Sequence, residues 1–157
     1  EASHTLDKFF SSKGFSKLKS LFLHQVTSAS CLEMLQHVQF AQLESLKISF
    51  SNGVITSESY ASGRQRALDR VLQSSWPSLK NLSVSCASAE QWGVDVLCSA
   101  HFPELEHFSY PGKFDDAQVE HVLSHCACSK LKTLRSQYAQ DHRHIDLFAQ
   151  KLNVTFV

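Results

Sequence analysis

Phe102-Pro-Glu-Leu105-Glu-His-Phe108-Ser-Tyr110 repeats, 26 residues later, the pattern of Trp76-Pro-Ser-Leu79-Lys-Asn-Leu82-Ser-Val84. Each stretch opens on an aromatic, reaches a leucine three residues on, adds a charged residue, and then alternates apolar with polar side chains. Three further copies begin at Phe15-x-x-Leu18, Phe40-x-x-Leu43 and Cys128-x-x-Leu131, so the leucines lie 25, 36, 26 and 26 residues apart. A period of about 20–29 residues around Leu-x-x-Leu-x-Leu marks one supersecondary unit copied and stacked. The 36-residue interval marks a unit that carries an insertion.

The second half of each copy reads as a strand. Leu21 and Leu23, Leu46 and Ile48, Leu82 and Val84, and Phe108 and Tyr110 fall on one face, with polar residues between them, which is the two-residue period of a half-buried strand. The fifth copy, Leu131-Lys-Thr-Leu134-Arg-Ser136, is divergent, and Val154-Thr-Phe156 is expected as a sixth strand. Between the strands the period becomes helical, in Leu32, Leu35 and Val38, in Leu68, Val71 and Leu72, in Val119, Val122 and Leu123, and in Ile145, Phe148 and Leu152. Trp92 to Ala100 is a weaker match with Gly93 near its start, and Leu6, Phe9 and Phe10 suggest a helix ahead of the first strand. Asp115-Asp116 and Asp141 supply start signals, while Pro77 and Pro103 stand just after expected helix ends. Phe15, Phe40, Trp76 and Phe102 fall where helix turns into strand and are expected to wedge between the two layers.

Composition fits one folded unit. The 157 residues, 43% hydrophobic and 10% aromatic, suffice to bury roughly 70% of the unfolded surface. Fifteen basic residues balance fifteen acidic ones, so the net charge is zero and no overall field favours nucleic acid or an anionic membrane. No run approaches about 18 apolar residues, the length of a membrane span. Five cysteines, at 31, 86, 98, 126 and 128, are an odd and dispersed set that reads as reduced thiols and favours an intracellular, cytoplasmic setting. The chain starts on Glu1 rather than Met, and a single domain from a longer protein is expected.

The repeated phrase resembles the leucine-rich repeats of the ribonuclease-inhibitor-like type, as found in F-box leucine-rich-repeat proteins and intracellular immune receptors. The resemblance runs from residue 15 to 157 and is closest over Trp76 to Leu82 and Phe102 to Phe108. It implies an α/β solenoid of about six strands, with parallel strands on a concave face and helices on the convex face. Where the family places Asn or Cys after each strand, this chain carries Val26, Ser51, Ala87, Lys113 and Ala139. No F-box motif is visible.

Three places are candidates for function. The outward strand positions would form rows on the concave sheet, in which Phe22, His24, Lys47, Asn81, His107 and Arg135 are the side chains able to anchor a partner. The insertion at 52–63, rich in turn formers and expected to give way to helix near Arg64, would present Tyr60 and Arg64 from a rigid scaffold. His121 and His125, four apart on a helix, lie near Cys126, Cys128, His142 and His144. That spacing is compatible with zinc, but Cys-x-Cys departs from the usual two-residue interval, and no metal or other cofactor is expected. No phosphate-binding loop or nucleophile elbow is present. The expectation is a non-catalytic module that binds a protein partner through the concave sheet and the inserted loop. A ubiquitin ligase's substrate-recognition region and a structural solenoid self-associating through its terminal strand are the alternatives.

Overall fold

The computed structural model describes residues 15–26, 32–33, 35, 40–50, 58–85, 92–112, 114–136 and 142–156, with the backbone alone at 58–62, 64–65, 142–145 and 156. Six strands, β1 (Ser20–Val26), β2 (Ser45–Phe50), β3 (Asn81–Ser85), β4 (His107–Tyr110), β5 (Thr133–Ser136) and β6 (Thr155–Phe156), form one sheet in the order of the sequence. Every pairing is parallel. Helices of the described residues lie in the crossovers: α1 (Glu58–Leu72), α2 (Trp92–Cys98), α3 (Asp116–His125) and α4 (His142–Leu152). Leu32, Glu33 and Leu35 are also helical. The fold is therefore α/β, with an open parallel sheet.

The repeated phrase has a backbone explanation. In all five copies the leucine N–H donates to the carbonyl of the residue three before it, at 3.1 Å in the Phe15, Phe40 and Cys128 copies and 3.3 Å in the Trp76 and Phe102 copies. Each phrase is thus a closed turn, and Pro77 and Pro103 occupy its second position, where a fixed φ near −65° is favourable. The next carbonyl joins neighbouring units. Lys19, Glu44, Lys80 and Glu106 each accept two backbone N–H groups from the following copy, at 2.8–3.1 Å. Turn and strand entry are therefore hydrogen-bonded as one continuous ladder.

The core lies between the sheet and the helices. Leu43, Leu79 and Leu105 are fully buried, as are Leu46, Ile48, Leu82, Phe108 and Leu134 on the inward strand positions. Phe40, Trp76 and Phe102 are buried beside them, and Phe40 and Trp76 stack with centroids 5.9 Å apart. Trp76 adds a polar contact: its Nε1–H donates to the Val71 carbonyl at 2.9 Å. Val71 is in the last turn of α1, where carbonyls lack helical partners. Cys128, which replaces the aromatic in the fifth copy, is also buried and directs its thiol toward the Val96 carbonyl of α2 at 3.7 Å.

The last units close on an aromatic cluster. Tyr110 is buried and meets Trp92 and Phe114, each with centroids 4.9 Å away, and Phe114 meets Phe148 at 5.5 Å. Ser136, at an inward position where earlier copies are apolar, donates its hydroxyl to the Gly112 carbonyl at 2.5 Å. Its polarity is satisfied locally. Asp115 caps α3 with a capping box, accepting from Gln118 N while the Gln118 side chain accepts from Asp115 N. Asn153 follows α4 at φ 53°, the left-handed conformation that commonly terminates a helix.

One boundary differs from expectation. α1 runs Glu58–Leu72, so 58–63 are helical rather than part of an extended insertion. Ser59, Ser62 and Gly63 read as turn formers, yet no proline interrupts the segment, and one glycine in a helix costs only about 1 kcal/mol. The expected helix at 6–10, Val38, and the cap at Asp141 lie outside the described residues.

Candidate functional site

Alternation along each strand leaves one face of the sheet open. Register turns its outward side chains into two straight rows. Phe22, Lys47, Ser83, Ser109 and Arg135 form one, and Ser20, Ser45, Asn81, His107, Thr133 and Thr155 the other. Lys47, Asn81, His107 and Arg135 are exposed, as is His24 beyond the first row on β1. Phe22 is 53% exposed, the outlier among large apolar side chains described. These six anchors are therefore brought to one face.

Several of them touch. Lys47 Nζ lies 4.8 Å from the centroid of the Phe22 ring, a cation–π contact, and His24 approaches the same ring edge-on at 5.6 Å. Three strands away, His107 Nδ1 is 2.7 Å from Thr133 Oγ1. The rows floor a shallow depression of about 290 Å³ between β2 and β5, bounded by Lys47 and Arg135 and lined at its centre by Ser83 and Ser109. Neither Lys47 nor Arg135 is ion-paired among the described residues.

Acidic groups at the strand entrances are occupied differently. Glu44 lies 3.4 Å from Lys19 and 3.2 Å from Lys80, and Glu106 lies 2.6 Å from Lys132. The entrance positions read Lys19, Glu44, Lys80, Glu106, Lys132, a strict alternation of sign from unit to unit. A hydrogen bond from Lys80, then its charge and the bond and charge of Lys19, hold the Glu44 carboxyl below the ordinary 4.5. A hydrogen bond from Lys132 does the same for Glu106. Folded values below the unfolded value mean that this stabilisation is complete above pH 4.5 and is lost as pH falls through the folded values. Replacing both residues by Gln should flatten the decline of melting temperature below pH 4.5, and NaCl should flatten it in the wild type, because these pairs are partly open to solvent and screened.

Tyr60 and Arg64 belong to α1, but their side chains lie outside the described residues, as does 51–57. His121 and His125 stack with centroids 4.5 Å apart, and His125 Nδ1 is 3.0 Å from the His121 carbonyl. No group of three or more His, Cys, Asp or Glu among the described residues has metal-holding geometry, and the His142 and His144 side chains are outside them. Cys126 differs from its neighbours. Hydrogen bonding from the Cys128 thiol pulls its pKa down to about 7, whereas Cys128 is pushed up by the same pairing and by burial, and Cys98 is pushed up mainly by burial. Cys126 is half-buried. Of these three thiols it should react first with iodoacetamide, with a half-maximal rate near pH 7 by mass spectrometry of quenched samples; Cys128→Ser should shift that midpoint.

The alternation of sign at the entrances is visible in the sequence as the charged residue after each leucine, but it belongs to none of the three candidate places. No described helix is long and apolar enough to cross a membrane. No protein-family model matches the chain, and no curated protein matches it. A crystal structure of a protein from Bacteroides fragilis is similar, with a TM-score of 0.67 and 20% identity over 90% of this chain. The chain spans 41% of the length of that protein. At this identity the likeness is one of fold alone.

Proposed function

We propose that the chain is a leucine-rich-repeat solenoid of the ribonuclease-inhibitor-like type, with its open sheet as the concave face, acting as a non-catalytic protein-interaction module within a longer intracellular protein. The repeated turn, the sequential parallel sheet and the helical crossovers support the architecture. One observation carries the function: Phe22 is 53% exposed beneath Lys47, in the same register row as Arg135. An exposed aromatic with a cation beside it is the composition of an interface anchor rather than of ordinary solvated surface. The mechanism is rigid display, with partner specificity set by side chains in fixed rows.

The test compares the domain with a Phe22→Ala, Lys47→Ala, Arg135→Ala variant in affinity capture from cell extract, after equal melting temperatures establish that the variant folds. A partner recovered by the wild type and lost from the variant supports the reading. Equal recovery of every protein by both sinks it. Self-association through the terminal strand is less favoured, since β6 spans only Thr155–Phe156 among the described residues and a short edge offers little template.

A further inference from the structure

We propose that the open face selects an extended acidic peptide in which two carboxylates stand four residues apart. This rests on the interaction reading and adds the chemistry of the partner.

The charge on the face is one-sided although the chain is neutral. The two rows contain Lys47 and Arg135 and no Asp or Glu. The acids nearest the sheet, Glu44 and Glu106, are already neutralised by lysines at the strand entrances, while Lys47 and Arg135 have no ion pair among the described residues. Among the described residues, an incoming carboxylate therefore meets cations with no internal competitor. Arg135 offers the planar fork that binds carboxylate through two parallel hydrogen bonds.

Spacing sets the ligand. Lys47 on β2 and Arg135 on β5 share a row and are separated by three strand steps, or roughly 14 Å at about 4.8 Å per step. An extended chain advances about 3.3–3.6 Å per residue, so its acids match when four residues apart. Between the cations the floor is Ser83 and Ser109, which leaves room for backbone and supplies hydroxyls to it. Beyond Lys47, Phe22 provides an apolar contact for a residue next to the first acid. Two cations are too few to hold a nucleic acid by its phosphates, whose binding grows with each phosphate neutralised.

A phage-displayed library of random seven-residue peptides is selected on the wild type, with counter-selection on the Phe22→Ala, Lys47→Ala, Arg135→Ala variant. Enrichment of Asp or Glu four apart, with an apolar neighbour, is the expected result. Synthetic fluorescein-Leu-Glu-Ser-Gly-Ser-Glu should then bind about tenfold more tightly than its Gln-for-Glu counterpart, and Lys47→Gln or Arg135→Gln should each weaken it about tenfold. If the selected peptides depend on the three residues but lack acids, the acidic specificity is overturned while the interaction reading stands. If no peptide discriminates wild type from variant, that reading itself fails. Binding of oligothymidylate with the same dependence on Lys47 and Arg135 would also overturn the proposal.

Discussion

Trp76→Ala is expected to lower the free energy of unfolding by about 3–5 kcal/mol, as large aromatic truncations in a packed core do. The indole is 3% exposed and stacks on Phe40, so its removal leaves a cavity between two repeat units. It also removes the donor to the Val71 carbonyl at 2.9 Å, leaving that end of α1 with the Ser74 N–H at 3.2 Å. Since domains are stable by only about 5–15 kcal/mol, the variant should unfold at a much lower urea concentration. Trp76→Phe keeps an aromatic ring for the stack and loses the hydrogen bond with part of the buried indole, so its cost should lie between about 1 kcal/mol for the bond alone and that of Trp76→Ala. Trp92, the second tryptophan, is buried and remains as the fluorescent reporter in both variants.

Two glycine substitutions in helices should have opposite signs. In α2, a Cβ on Gly93 would sit 2.6 Å from Cε2 of Tyr110, and Tyr110 is held by Trp92 on one side and Phe114 on another. Gly93→Ala gains helix propensity of about 1 kcal/mol but forces a packed ring to move, and overpacking of about 1–3 kcal/mol should win. In α1, a Cβ on Gly63 meets nothing within 4 Å among the described residues. Gly63→Ala should therefore stabilise by about 0.5–1 kcal/mol. Thermal denaturation of both variants, with Gly93→Ala repeated in a Tyr110→Leu background, checks the cause: the penalty at Gly93 should shrink once the ring is gone. An unchanged penalty would place the strain elsewhere.

The architecture was legible because two signals agreed. The aromatic-x-x-Leu phrase fixed where each turn closes, and the alternation at Leu46 and Ile48, or Leu82 and Val84, fixed which face goes in. Together they also place Phe22, Lys47 and Arg135 at matching outward positions of their copies, since aligned copies imply aligned strands. Contacts were not legible. Nothing in the order of residues says that Lys47 lies over Phe22, that Ser136 points inward to Gly112, or that Gly93 accommodates Tyr110, because these depend on side-chain directions in three dimensions. The start of α1 was misplaced for a different reason: Ser and Gly favour turns locally, and a helix formed in tertiary context overrides that preference.

The alternation of Lys19, Glu44, Lys80, Glu106 and Lys132 acts as a parity rule on assembly. Each entrance faces opposite charge on its correct neighbours, but excising one interior unit would set like charge against like, and pairing β1 directly with β3 would set lysine against lysine. Skipping two units restores the attraction. The array thus discriminates against single-unit slippage during folding, a repulsive device of the kind that makes pairing specific. Deleting one interior unit should therefore destabilise the array more than deleting two adjacent ones, by the difference in urea midpoint.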